Sequence, residues 1–174
     1  NGRCAIFGLG KLGSREMTAA SDLDLVLLYD FDDAMPESRG VKPLHAAQYY
    51  ARIAQRLISA LTVSTRRGSL YEVDMRLRPS GRQGPVATRY SSFCEYQLTE
   101  AETWEHMALT RARFISGDKA LGMEVGTFIQ TVLSSQRDAA HLASDVGNMR
   151  KLIASEKGED NPWDLKLAAG GTID

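Results

Sequence analysis

The sequence predicts an α/β fold in which a small mixed sheet is followed by helices. Two apolar segments, at residues 3–8 and 23–29, have the length and composition of strands, and helical periodicity prevails after residue 90. A chain of 174 residues is long enough for one domain with a core and part of a second unit. We therefore predict a first domain at 1–135 and the start of a helical region at 136–174.

The first predicted elements surround a glycine-rich turn. The strand at 3–8 runs into this turn at 8–14, and a brief helix is expected at 15–20. The next strand, at 23–29, is almost continuously apolar, which is typical of a strand buried on both faces. A polar segment with two prolines and a glycine at 30–43 predicts a loop.

An amphipathic helix and a polar strand come next. Apolar residues recur at three- or four-residue steps from Leu44 to Leu61, which predicts a helix over 44–64. Residues 70–78 alternate between apolar and charged side chains, the period of a strand, and 79–85 is a loop with prolines and glycines. The rest is predicted to be helical at 91–109, 118–133 and 138–156, with a strand at 111–116 and a linker at 157–162.

Composition narrows the class of protein without identifying its function. Hydrophobic residues make up 43% and charged residues 25% of the chain, as in ordinary globular domains, and the formal net charge is −1. That balance gives no general attraction to nucleic acid or to an anionic membrane, and no apolar run is long enough to span one. Cys4 and Cys94 lie far apart, which predicts buried free thiols in a cytoplasmic protein.

The two ends of the sequence are typical of a piece of a longer protein. The chain starts at Asn1 without a methionine and stops at Asp174, just after Gly170 and Gly171. The helical region at 136–174 is therefore expected to be truncated.

Charge is segregated along the chain although it nearly cancels overall. Residues 16–38 contain seven acidic side chains and no lysine or arginine, whereas residues 66–89 contain six arginines and two acidic side chains. An acidic centre beside an arginine-rich segment suits a polyphosphate that binds together with a metal ion. Two solvated faces of opposite sign are the alternative interpretation.

Asp22 and Asp24 are the first candidates for a catalytic role. They open the apolar strand, and because strand side chains alternate, both carboxylates project from the same face. Adjacent carboxylates repel each other and contribute little as structure, but hard oxygen ligands of this kind suit Mg²⁺. The pair therefore predicts a metal site where this strand enters the sheet.

A third acidic residue and several cations complete the predicted site. Asp74 stands on the polar face of its own strand, so three carboxylates converge if the two strands are neighbours, an arrangement suited to two metal ions. A turn at Gly13 and Ser14 would present backbone N–H groups and a hydroxyl to a phosphate at the start of a helix. The cations expected to neutralise the triphosphate and pyrophosphate are Lys11, Arg76 and Arg78.

Two other interpretations of these residues stay open. The acidic residues can form an exposed structural edge, and Arg76 and Arg78 can form salt bridges to acids instead of binding phosphate. The string GLGKLG at 8–13 also has the glycine spacing of a dinucleotide site, with Asp30 at the end of the following strand. Only about seven residues separate the glycines from the next strand, however, too few for the usual crossover helix, and Asp22 and Asp24 would be unexplained.

The chain resembles the glutamine synthetase adenylyltransferase family over essentially its whole length. The shared strings are GKLG at 10–13, SDLDL at 21–25, YEVDMRLRPSG at 71–81, TWEH at 103–106, RAR at 111–113, Lys166 and GGTID at 170–174. The resemblance implies a DNA polymerase β-like nucleotidyltransferase fold, so residues 1–135 are expected to be the nucleotidyltransferase domain. It also implies that Asp22 and Asp24 bind the catalytic metals, with Asp74 as the third acid. Ser14 stands where the family often has a second glycine.

The resemblance implies one half of a multifunctional bacterial enzyme of nitrogen metabolism. Its C-terminal half attaches AMP to glutamine synthetase and its N-terminal half removes it; the strings LYEVD at 70–74 and TWEH at 103–106 are more similar to the attaching half. The expected reaction transfers AMP from ATP to a tyrosine hydroxyl and releases pyrophosphate, with Mg²⁺ bound and Asp74 as a candidate base. The expected partners are glutamine synthetase and, through the full-length enzyme, the PII signal protein. AMP removal and a non-catalytic nucleotide-sensing module are the alternatives.

Overall fold

The computed structural model describes residues 2–19, 21–64, 66, 68 and 71–157. Contacts divide the chain into two units, 1–134 and 135–174. The elements of the first unit are β1 (Gly2–Gly8), α1 (Gly10–Ser14), β2 (Leu23–Phe31), α2 (Ala46–Thr62), β3 (Val73–Asp74), a short 3-10 turn (Gly81–Gln83), β4 (Thr88–Arg89), α3 (Tyr90–Thr99), α4 (Thr103–Leu109), β5 (Arg113–Gly117) and α5 (Lys119–Leu133). The second unit contains α6 (Ala139–Lys157), which begins where the Asp138 carboxylate accepts the Ala140 N–H.

The sheet is mixed and has five strands. β1 pairs antiparallel with β2 on one edge and with β5 on the other. The second edge of β2 carries two short parallel strands in succession, because β3 pairs with Leu23 and Asp24 and β4 pairs with Leu28 and Tyr29. The predicted fold class, a small mixed sheet combined with helices, is therefore confirmed.

The apolar run of β2 is buried because helices cover both faces of the sheet. Val26 and Leu28 point into a cluster that includes Phe93 of α3 and Val125 of α5. Leu27 and Tyr29 point the other way, into a cluster with residues of α2, and the Tyr29 and Tyr50 rings stack 4.6 Å apart. Alternating side chains thus find apolar partners on both sides, as the continuous apolar pattern predicts.

Most of the other predicted elements are found with shifted ends. The strands expected at 3–8, 23–29 and 111–116 correspond to β1, β2 and β5, and the helices at 44–64, 118–133 and 138–156 correspond to α2, α5 and α6. The helix expected at 91–109 is wrong, since α3 and α4 are separate. A new helix start separates them, where the Glu105 carboxylate accepts the Glu102 N–H at 2.9 Å. Residues 158–162 of the predicted linker lie outside the described residues.

The brief helix expected at 15–20 is also wrong for the residues that the structure describes there. The helix lies earlier, at α1, and it ends because Arg15 adopts a left-handed φ of 65°. The Glu16 N–H then donates to the Lys11 carbonyl and the Arg15 N–H to the Leu12 carbonyl, the pattern of a Schellman helix end. Glycine usually occupies that left-handed position, so an arginine there left no sequence signal.

The strand expected at 70–78 is much shorter than its alternating pattern predicts. β3 contains only Val73 and Asp74, and the chain then turns, with the Arg78 N–H near the Met75 carbonyl and the Gly81 N–H on the Arg78 carbonyl. Residues 69 and 70 lie outside the described residues. The alternation of apolar and charged side chains therefore extends beyond the end of the strand at Asp74.

Two general expectations also have outcomes in the described part of the chain. Cys4 and Cys94 are both free and half-buried. None of the described helices combines the length and the apolar character needed to cross a membrane.

Candidate functional site

Strand pairing brings two of the predicted acidic residues side by side. Asp24 of β2 is the register partner of Asp74 of β3, and Leu23 is the partner of Val73. The Leu23 N–H also donates to the Glu72 carbonyl at 2.8 Å, so the pairing extends to the residue before β3. The two strands are therefore neighbours, as the convergence of the carboxylates requires.

A cavity of about 390 Å³ opens beside this pair of strands. Its walls combine acidic side chains with arginines, and the lining residues are Asp22, Glu72, Val73, Asp74, Met75, Arg76, Arg78 and Arg82. Four predicted site residues thus share one cavity, whereas Asp24, Lys11, Gly13 and Ser14 are not among its lining residues. Glu72 and Arg82 were not predicted as site residues, although both belong to the charged segment that the sequence singled out.

Arg76 engages the carboxylate of Asp74 closely. The Arg76 backbone N–H donates to Asp74 Oδ1 at 2.8 Å, and its Nε donates to Oδ2 at 2.6 Å. Its Nη2 also contacts Oδ2. Partial burial raises the pKa of Asp74, but the hydrogen bonds from Arg76 outweigh it and hold that pKa below its usual range.

The other two aspartates act on the same guanidinium. The hydrogen bond to Asp74 raises the pKa of Arg76 above its ordinary value, and the charges of Asp24 and Asp22 raise it further. Three carboxylates, those of Asp22, Asp24 and Asp74, therefore stabilise the positive charge of one guanidinium. The salt bridge that the sequence left open for Arg76 is present.

Arg78 organises the loop that follows β3. Its guanidinium donates to the backbone carbonyls of Met75 at 2.5 Å and Gly84 at 3.2 Å, and it approaches the Arg82 carbonyl at 3.4 Å. Burial lowers the pKa of Arg78, and the charge of Asp74 partly offsets this effect. Arg78 thus lines the cavity while its donors hold the turn in shape.

α1 lies against the other side of the aspartate pair. Gly10, with φ +48°, approaches Asp24 so closely that a Cβ there would lie 2.3 Å from Asp24 Oδ2. The Leu9 N–H donates to the Asp24 carbonyl at 2.9 Å. Asp24 therefore lies between α1 and β3. Lys11 belongs to the same short helix.

Gly13 and Ser14 do not begin a helix, so the geometry expected for them is wrong. They form the last residues of α1, and the Gly13 N–H is already used by the Leu9 carbonyl at 2.8 Å. The Ser14 hydroxyl donates to the Gly10 carbonyl or to the Glu16 carboxylate, at 3.1 and 2.7 Å. Phosphate binding by Gly13 and Ser14 stays a prediction, without the helix start on which it was based.

Arg113 holds the end of α1, a function that sequence reasoning did not find. Its Nε donates to the Gly13 carbonyl at 2.8 Å, and its Nη2 donates to the Leu12 carbonyl. A cation at the C-terminal end of a helix satisfies carbonyls that have no partner within the helix. The sequence spacing gives no indication of this contact, because about a hundred residues separate the partners.

Replacing Arg113 with methionine is expected to lower the free energy of unfolding by about 1–2 kcal/mol, because two part-buried carbonyls lose charged donors. Urea denaturation followed by circular dichroism measures this change. Arg113→Lys should recover part of the loss, since it keeps the charge and one donor. Arg52→Met, on an exposed position of α2, should change stability by less than about 0.5 kcal/mol. Equal effects of Arg113→Met and Arg52→Met would contradict the assignment.

The donor set at this site suits a hard cation. Carboxylate oxygens are the ligands that Mg²⁺ prefers, and Asp24 and Asp74 are adjacent on paired strands while Asp22 shares the cavity with Asp74. Among the described residues, no three His, Cys, Asp or Glu side chains stand together closely enough to hold a metal ion in this arrangement. The cation that pairs with Asp74 in this structure is the guanidinium of Arg76.

Comparison with known proteins identifies the family. Residues 1–127 match the family described as glutamate-ammonia ligase adenylyltransferase. The chain belongs to this family. The family resemblance noted from the sequence is thereby confirmed, and the members of the family are adenylyltransferases.

Curated relatives of this adenylyltransferase family match almost the whole chain. The protein of Rhodopseudomonas palustris is 62% identical over 170 residues, and that of Bradyrhizobium diazoefficiens is 60% identical over 170 residues. Each match covers 98% of this chain and 17% of the relative. The protein of Agrobacterium fabrum is 57% identical over 173 residues, which is 99% of this chain and 18% of the relative. All three are named bifunctional glutamine synthetase adenylyltransferase/adenylyl-removing enzyme.

Proposed function

We propose that this chain carries the AMP-transferring site of a glutamine synthetase adenylyltransferase, with ATP as donor and a tyrosine hydroxyl of glutamine synthetase as acceptor. The observation that carries the proposal is the register pairing of Asp24 with Asp74 beside a cavity that Asp22 and three arginines line. The names of the relatives support glutamine synthetase as the partner and adenylyl transfer as the class of reaction. The strings at 70–74 and 103–106 support the attaching half over the removing half.

The carboxylates would hold one or two Mg²⁺ ions. Asp22, Asp24 and Asp74 are the residues that would bind them, and a bound Mg²⁺ supplies charge neutralisation and polarisation of the phosphates. The backbone of Asp24 is held on both sides, by the Leu9 N–H and by the pairing with β3, which supports this role. Such fixed positions contribute to rate because they need no reorganisation during the reaction.

The arginines of the cavity would bind the phosphates of ATP. Arg76, Arg78 and Arg82 line the same cavity as Asp22 and Asp74. Phosphate oxygens of ATP can therefore accept hydrogen bonds from the arginines while the nucleotide stays beside the aspartates. Lys11, on the helix that abuts Asp24, is a further candidate. The tyrosine oxygen forms a bond to the α-phosphorus while the bond to the bridging oxygen of pyrophosphate breaks. Asp74 is the candidate base for the tyrosine proton.

The chain spans 17–18% of the length of these relatives. The activity must therefore be tested both without and with the remaining parts of the longer protein, which could be needed to bind glutamine synthetase. The chain and a longer protein that contains it are each incubated with labelled ATP, Mg²⁺ and unmodified glutamine synthetase. Because the relatives are named bifunctional, the longer protein is also tested with Asp24→Asn, and label on a glutamine synthetase tyrosine that this substitution removes supports the proposal. If Asp24→Asn instead removes the release of ADP from adenylylated glutamine synthetase with phosphate, the chain is the adenylyl-removing half. Nucleotide binding by the chain, with neither reaction changed by Asp24→Asn, would identify a sensing module. Any response to PII is expected only in the longer protein.

A further inference from the structure

Both oxygens of Asp74 are occupied by a single residue. The Arg76 backbone N–H takes Oδ1, while two guanidinium donors, Nε and Nη2, converge on Oδ2. A hard cation that used Asp74 as a ligand would meet the guanidinium charge at Oδ2, where two of its donors converge. The backbone contact at Oδ1 carries no net charge, so the side chain of Arg76 is the group that competes with such a cation.

The surroundings of Arg76 favour such a movement. Its side chain is 60% exposed, whereas that of Asp74 is only 15% exposed. The guanidinium can therefore leave Asp74 and enter solvent without disturbing packed residues. Arg78, by contrast, donates to backbone carbonyls of its own loop, so a movement that broke these hydrogen bonds would loosen that turn.

We propose that Arg76 is an internal cation that occupies the place of the divalent metal ion at Asp74 and is transferred to the nucleotide phosphates when ATP binds. The inference rests on the proposed function and adds a coupling to it. Without nucleotide, a metal ion competes with the guanidinium for Oδ2. With nucleotide, the phosphates give the guanidinium another acceptor in the same cavity, so the competition is removed.

This exchange predicts that metal ion and ATP bind with positive coupling. Each ligand removes an obstacle to the other, and coupling between binding sites is reciprocal. The backbone N–H of Arg76 remains on Oδ1 throughout, so Asp74 keeps its orientation while only Oδ2 changes partner. The site is thereby protected from binding metal ions unproductively when nucleotide is absent.

The test measures binding of Mn²⁺, as a probe for Mg²⁺, by electron paramagnetic resonance of the free ion. Titrations are made with and without the non-transferable ATP analogue in which a methylene group joins the α- and β-phosphates, and a titration of the analogue without protein corrects for the Mn²⁺ that the nucleotide itself binds. The variants are Arg76→Gln and Arg76→Lys, and Arg52→Gln on an exposed position of α2 removes the same charge as a matched control. Circular dichroism melting confirms that each variant is folded.

Arg76→Gln is expected to tighten nucleotide-free Mn²⁺ binding about tenfold, because a charge-assisted double contact no longer competes. It should also weaken binding of the analogue and reduce the coupling between the two ligands, leaving the part that comes from direct attraction between the metal ion and the phosphates. Arg76→Lys should lie between the wild type and Arg76→Gln, and Arg52→Gln should match the wild type.

Unchanged Mn²⁺ affinity in Arg76→Gln, with intact nucleotide-dependent binding in the wild type, would overturn the inference and leave the proposed function standing. Equal tightening in Arg52→Gln would also overturn it, because a general charge effect would then suffice. If the wild type and Arg76→Gln bind no Mn²⁺ even with the analogue, the proposed metal site fails and the inference fails with it. Mn²⁺ binding by Arg76→Gln alone, without nucleotide, would support the inference.

Discussion

Substituting Asp24 with asparagine is expected to reduce AMP transfer at least about a hundredfold, the scale of losing one preorganised electrostatic contact in an active site. Asparagine keeps the size of the side chain and an oxygen, so the close approach of Gly10 is preserved. The negative charge that would hold the metal ion is lost. The rate is measured in the longer protein with labelled ATP and unmodified glutamine synthetase, together with nucleotide-dependent Mn²⁺ binding.

Asp30→Asn is the matched control for this experiment. Asp30 lies on the same strand, where it pairs with Arg3 at 3.0 Å, and its register partner is Arg3 of β1, whereas Asp24 is the register partner of Asp74. Its substitution removes the same charge from β2 and should leave the rate within about twofold, since exposed or half-exposed ion pairs contribute little. If Asp24→Asn and Asp30→Asn transferred AMP equally well, Asp24 would not be a metal ligand.

Substituting Gly13 with alanine should produce the largest loss of stability, about 3 kcal/mol, the upper part of the range for overpacking a filled space. A Cβ at this position would lie 1.8 Å from the Arg111 carbonyl oxygen and 2.8 Å from the Gly8 carbonyl oxygen. Both obstacles are backbone atoms, so neither can rotate away. α1 would have to move from the backbone at Arg111, which precedes β5, and the contact of Gly10 with Asp24 would change with it. Thermal or urea denaturation gives the free energy of unfolding.

At Gly126 in α5, the same substitution of glycine with alanine is expected to raise stability. Apart from its chain neighbours and the backbone of its own helix, no atom lies within 4 Å of a Cβ built there, so alanine meets open space. Because alanine favours the helix over glycine, Gly126→Ala should stabilise the protein by about 0.5–1 kcal/mol. A Gly13→Ala protein as stable as the wild type would show that α1 is not packed against the Arg111 and Gly8 carbonyls as described.

The buried parts of the fold could be predicted because their pattern has a single physical cause. The apolar run of β2 required cover on both faces, and α2 on one side with α3 and α5 on the other supplies it. The pairing of β2 with β3 could be anticipated from chemistry, since Asp24 and Asp74 have a common use only if the strands are neighbours. The roles of these aspartates as metal ligands stay predictions.

The features that could not be predicted depend on backbone geometry or on distant contacts. Arg15 in a left-handed conformation ends α1, although the sequence suggested a helix beginning there. The turn after Asp74 is set by a side chain that accepts the N–H of Arg76, so charge alternation no longer indicates a strand. Arg113 reaches a helix end about a hundred residues away, and no local pattern records that distance.

The placement of β3 and β4 on one edge of β2 has a consequence for how this site can vary. Their pairing positions, Asp24 and Leu28, are about 13 Å apart along β2. Residues 75–87 therefore form a loop whose two ends are both paired with β2. Lengthening this loop costs little free energy, because loop-closure entropy grows slowly with length. Insertions there would change how far the arginines reach without altering the register of the aspartates. The reach of the arginines and the geometry of the aspartates can therefore diverge independently among relatives.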